Sequence, residues 1–252
     1  MTEGANGTPL PPAAPLAGLQ SLEERQIIRA ILACFFLSGA TGLVYEVIWT
    51  RMLGLVFGHT VYAVSTVLAA FMGGLAAGSI LFGRLADRSR HPVRLYGLLE
   101  GGIGLYCLAT PALFRLVEGV YLALHRRLDF SPTAFSLLQF LLAFGILLIP
   151  TTLMGGTLPI LSRFLVREGE TLGRRVGGLY ALNTFGAVAG AYAAGFHLLP
   201  VLGIQRSLWL VVTLNLGIGL LAVLFDGHLG RLRSSEAAWA PERTEAPAPS
   251  PP

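Results

Sequence analysis

Apolar residues run through this chain in long, nearly unbroken blocks, with polar residues gathered in short clusters between them. The blocks extend from about Ile27 to Leu53, Val61 to Leu85, Val93 to Leu113, Thr133 to Phe164, Leu172 to Leu199 and Ile204 to Phe225. Each is long enough for an α-helix to cross a bilayer core of roughly 30 Å. The pattern predicts an all-α, polytopic membrane protein with six transmembrane helices over residues 25–226, flanked by disordered tails at 1–24 and 227–252. Ser21 with Glu24 reads as a capping box that starts the first helix. Val117 to Phe130, which carries His125-Arg126-Arg127, is too polar to span and reads as an interfacial amphipathic helix. Pro150, Gly155, Gly156 and Pro159 predict a break in the fourth span. Proline donates no backbone hydrogen bond, glycine loosens the chain, and broken helices often frame binding sites in transporters.

Composition supports the membrane reading. The 252 residues are 54% hydrophobic and only 13% charged, where soluble domains carry roughly 25% charge. The net charge of +4 comes from arginines spread between the blocks, with no basic patch for a nucleic acid. Arg84, Arg88, Arg90 and Arg94 crowd one connection, and Arg163, Arg167, Arg174 and Arg175 crowd another. By the positive-inside rule these connections and both termini face the cytoplasm, with Arg126 and Arg127 as the dissenting pair. Cys34 and Cys107 lie within apolar blocks and read as packing residues. No metal-ligand cluster, phosphate loop or nucleophile elbow is present, so the pattern assigns no catalytic residue, metal or cofactor.

Polar residues inside apolar spans are expensive and mark candidate sites. Glu46 is the sharpest, with Tyr45, Trp49 and Arg51 around it. A carboxylate beside aromatic rings suits an amine or other cation through charge pairing and cation–π attraction, and equally a structural ion pair. Glu100 is the second carboxylate, with Arg84 or Arg88 as its structural partner. Thr157 and Asn183 add polar contacts from the fourth and fifth spans. The small-residue pairs Gly74/Gly78 and Gly186/Gly190 predict close helix packing. AAFMGGLAAG in the second span echoes NTFGAVAGAYAAG in the fifth, which suggests a 3+3 inverted repeat.

Two resemblances follow. Gly83-Arg84-Leu85-Ala86-Asp87-Arg88 resembles the loop motif of the major facilitator superfamily, with Gly83, Asp87 and Arg88 as its motif residues. GLVYEVIWTR at 42–51, LMGGTLPILSRF at 153–164 and LYALNTFGAVAGAYAAGFHLLP at 179–200 resemble the membrane part of bacterial fused major facilitator/spermidine synthase-like proteins. That resemblance implies a bacterial inner-membrane domain, half-major-facilitator-like, that binds or moves a small polyamine-related amine. It also implies an alternative, a membrane anchor for a soluble aminopropyltransferase-like partner. The family's transferase domain is not recognisable in this sequence, so the expectation is a non-enzyme. The implied partners are the lipid bilayer, a second copy in a homodimer, or that transferase.

Overall fold

The computed structural model describes residues 15–57, 60–127, 131–165 and 172–239, and these are helical almost throughout. The helices are α1 (Pro15–Phe57), α2 (Thr60–Arg88), α3 (Pro92–Arg127), α4 (Pro132–Leu165), α5 (Leu172–Ala193) and α6 (Gly203–Trp239). A π-helical stretch, Ala194–Leu202, joins the last two. No strand occurs among the described residues. The polar flanks are helical beyond the edges that hydropathy suggests. α1 already runs at Pro15, ahead of Ser21, and α6 continues to Trp239. Residues 1–14 and 240–252 of the expected tails lie outside the described residues.

Five helical stretches are long and apolar enough to cross a membrane, one fewer than the six apolar blocks. The difference lies in the last, Gly173–Arg231, which is continuous over 59 residues. A straight helix of that length would reach about 88 Å, well beyond a bilayer core. This stretch is not straight in its backbone: it contains the π-helical segment, and Gly203 has φ 75°. The exterior is as apolar as a lipid-facing surface requires, with Leu55, Val61, Met72, Leu105, Phe185 and Val201 all exposed.

Neither of the two expected interruptions is present. Val117–Arg127 is no separate interfacial helix but the end of α3, and α4 runs unbroken through Pro150 and Pro159. The reason lies in the backbone ledger. A proline at position i leaves the carbonyl of residue i−4 without its helical donor. For Pro150 that carbonyl is Ile146, and the Tyr106 hydroxyl of α3 donates to it at 3.0 Å. For Pro159 it is Gly155, which accepts from the Ser79 hydroxyl of α2 at 3.1 Å. For Pro111 it is Cys107, which accepts from Thr110 at 2.7 Å. Each of these three carbonyls has found a hydroxyl, so α3 and α4 continue.

Packing pairs α2 with α4, α1 with α5, and α3 with both α4 and α6. Small residues bring the first two pairs close. A Cβ at Gly74 would run into Thr151, and one at Gly78 into the Thr152 carbonyl and Gly155. Cβ atoms at Gly186 and Gly190 would meet the carbonyls of Phe36 and Ala40 on α1. Two apolar clusters result. One gathers Ile48, Trp49, Leu53, Val67, Ile103, Leu147, Leu208 and Val211. The other gathers Ile31, Phe35, Tyr96, Leu99, Ile160, Leu179, Ile218 and Ala222.

Two substitution sets test this account. Tyr106→Phe and Ser79→Ala should each destabilise the protein by about 1 kcal/mol, the scale of an interhelical hydrogen bond in a membrane. Pro150→Ala restores a donor to Ile146, so the cost of Tyr106→Phe should shrink in that background, as a double-mutant cycle of unfolding in mild detergent will show. Gly78→Leu should abolish accumulation of folded protein, while Gly145→Ala, where an added Cβ meets nothing within 4 Å, should leave it within about 1 kcal/mol of wild type.

Candidate functional site

Between the two apolar clusters lies a layer of polar side chains. Along α1 the first cluster member set ends near Phe35 and the next begins at Val44, and Ser38 and Thr41 fall between them. On α3, Glu100 separates Leu99 from Ile103; on α6, Asn215 separates Val212 from Ile218. Glu100 is completely buried. Its Oε1 accepts from the Ser38 hydroxyl, and its Oε2 accepts from Asn215 Nδ2 at 2.6 Å. The Tyr96 hydroxyl, one turn earlier on α3, lies beside Ser38 and Glu100 without a well-formed hydrogen bond. Asn215 Oδ1 is buried with no partner.

The expected Arg partner of Glu100 is therefore replaced by neutral donors. Arg84 and Arg88 are exposed at the end of α2, and no Arg pairs with Glu100 among the described residues. Ser38, Tyr96 and Asn215 were not singled out in the sequence. The signal existed for Asn215, an amide inside the apolar run VVTLNLGIGLL, which costs energy for the same reason as a buried acid.

Glu46 lies elsewhere. It is half-buried and opens on a groove of about 440 Å³ lined by Leu43, Val47, Thr50, Arg51, Gly54, Leu55 and Leu199. Tyr45 and Trp49 do not wall this groove. Both are completely buried, stacked on each other with ring centroids 5.6 Å apart, and they belong to the apolar core. The cause is helical phase: residues four apart share a face, so Tyr45 and Trp49 go inward together while Glu46, 100° on from Tyr45, faces the groove. Arg51 is exposed at the groove, and Glu46 makes no ion pair among the described residues. The groove thus has an acidic group set in mostly aliphatic walls.

The remaining candidates are dispersed. Thr157 is buried and donates to the Met154 carbonyl of its own helix at 2.8 Å. Asn183 reaches across from α5 to the Phe35 carbonyl of α1 at 3.1 Å. Gly83 and Asp87 line a separate groove of about 500 Å³ with Ser79, Pro159, Ser162 and Arg163, and Arg88 is exposed beside it. No group of three or more His, Cys, Asp or Glu residues suited to a metal occurs among the described residues.

The chain is similar to polyamine aminopropyltransferases. It is 28% identical to Polyamine aminopropyltransferase 2 of Streptomyces coelicolor over 214 residues, covering 83% of this chain and 36% of that protein. It is 26% identical to Polyamine aminopropyltransferase 1 of the same organism, over 77% of this chain and 34% of that protein. It is 28% identical to Polyamine aminopropyltransferase of Corynebacterium efficiens, over 78% and 34% respectively. The chain thus spans about a third of the length of the curated relatives it matches. No family model and no solved structure matches it. The polyamine part of the sequence resemblance is thereby supported. The major facilitator part rests on the Gly83–Arg88 motif alone.

The geometry predicts which residues the polar layer depends on. Ser38→Ala and Asn215→Ala should each cost about 1–3 kcal/mol, because each leaves a buried carboxyl oxygen of Glu100 without its hydrogen-bond partner. Arg84→Ala and Arg88→Ala should stay within about 0.5 kcal/mol of wild type. Detergent unfolding of the four variants side by side checks the contrast. A large effect of either arginine would restore the ion-pair reading.

Proposed function

We propose that this chain is a multi-pass membrane domain that binds a small aliphatic amine of the polyamine class in the α1 groove, and that it moves the amine or presents it for use. The observation that carries the reading is Glu46: a half-buried carboxylate with no ion pair among the described residues, set in a groove walled by Leu43, Val47, Leu55 and Leu199. A methylene chain ending in ammonium matches that combination of aliphatic wall and single acid. The names of the relatives point to the same chemical class. Arg51, at the groove rim, disfavours a second ammonium at that end and so sets the direction in which a diamine lies.

The architecture we propose for it is six spans in two inverted halves of three, in a bacterial inner membrane with both termini cytoplasmic. The pairing of helices supports the repeat. Exchanging α1–α3 with α4–α6 turns the α2–α4 contact into α5–α1, and maps α3–α6 onto itself. Gly74 and Gly78 on α2 then correspond in role to Gly186 and Gly190 on α5. The backbone change at Ala194–Gly203 supports a division of the last stretch into two spans.

A second reading is favoured by the lengths. Because the chain spans about a third of relatives named as aminopropyltransferases, it also fits a membrane anchor that holds such an activity at the bilayer. Purification from native membranes separates the two: a stoichiometric soluble aminopropyltransferase supports the anchor, and its absence removes it.

The amine reading is tested on the full chain in nanodiscs. Spermidine or putrescine should raise the thermal midpoint, as any ligand of the folded state does. Glu46→Gln should weaken apparent affinity by about 10–100-fold, the worth of one charged hydrogen bond, without lowering expression. Equal amine response in wild type and Glu46→Gln would sink the assignment.

A further inference from the structure

The Glu100 layer takes no part in the amine groove, and its chemistry calls for a different ligand. Glu100 is fully buried, and the donors on its two oxygens, Ser38 and Asn215, are both neutral. The titratable groups facing it are Cys34 and Tyr45 on α1 and Tyr96 and Cys107 on α3, none of which is a cation. α6 contributes Asn215, with Arg206 and Asp226 nine and eleven residues away along the helix, about 14 and 16 Å. α4 contributes only Arg163, exposed near its end. A bare carboxylate without a counter-ion is among the most costly groups to hold inside a bilayer.

Hydrogen-bond accounting points the same way. An ionised carboxylate only accepts, so it has no proton to give to the hydroxyl oxygens of Ser38 and Tyr96 that lie beside it. A carboxylic acid carries an O–H, and two hydroxyl oxygens beside it can accept that proton, Ser38 and the unpartnered Tyr96, while Oε2 keeps its Asn215 Nδ2 donor. The unpartnered Tyr96 hydroxyl and the missing cation are therefore answered by one species.

We propose that Glu100 is a proton-binding site that locks α1, α3 and α6 together in its protonated form. Loss of the proton leaves a charge held by three helices and loosens their junction. The site stands independently of the amine groove.

Infrared spectroscopy of the full chain in nanodiscs tests it. Wild type at neutral pH should show a protonated-carboxyl C=O stretch that disappears in Glu100→Gln and persists in Glu46→Gln. Glu100→Gln, an isostere of the acid, should keep the wild-type thermal midpoint. Ser38→Ala, which leaves the acid in place, should shift the frequency of the same band. The proposal is overturned if wild type lacks the band, or if the band survives Glu100→Gln. If Glu100→Gln fails to fold, an unshifted band in Ser38→Ala overturns it instead. Because Glu46→Gln is read in the same series, loss of amine binding and loss of the proton site remain distinguishable.

Discussion

In a bilayer every backbone carbonyl must find a donor inside the protein, and the three prolines within α3 and α4 make that constraint acute there. Tyr106, Ser79 and Thr110 meet it by donating to the carbonyls that Pro150, Pro159 and Pro111 release. Two of these bonds cross between helices, so satisfying α4 also fixes where α2 and α3 stand against it. The bond from Ser79 depends on proximity that Gly78 provides, one residue earlier, by removing the Cβ that would strike Thr152. Close approach, hydroxyl donation and an unbroken α4 are thus one arrangement. Losing the glycine contact would also lose the carbonyl's donor.

The polar layer adds a second level of order. Apolar clusters alone tolerate sliding, since one Leu against another is nearly as good a step further on. A buried acid with named donors on two other helices is not tolerant. Shifting α6 by one residue turns Asn215 by about 100° and strips Glu100 Oε2 of its donor. Asn183 ties α5 to α1 at the Phe35 carbonyl in the same way. The layer therefore sets the register that the apolar clusters then fill.

The helices were legible in the sequence because hydrophobic block length is a property of the chain alone. What was less legible depended on partners. The breaks expected at Pro150 and Pro159 do not occur because donors arrive from residues far away in sequence. The clue was available only in retrospect, as hydroxyls at Tyr106 and Ser79 with no evident reason to sit in apolar runs. Glu46 and Glu100 stood out from the sequence as charges in apolar spans, but their surroundings did not. Tyr45 and Trp49 neighbour Glu46 in sequence and turn away from it in space, whereas Ser38 and Asn215, 62 and 115 residues from Glu100, touch it. Sequence proximity on a helix says which face a residue shares and nothing about which face turns inward.

The two carboxylates differ in the property that decides their chemistry. Glu46 borders an open groove and can exchange a counter-ion with its surroundings; Glu100 is sealed, and only a species as small as a proton reaches it without opening the bundle. Both bear on α1, Glu46 directly and Glu100 through Ser38, eight residues or about 12 Å apart along the axis. The stacked Tyr45 and Trp49 fill the core side of α1 beside Glu46. Movement of α1 as a body would join the two sites, and the close glycine contacts at Phe36 and Ala40 tie that helix to α5.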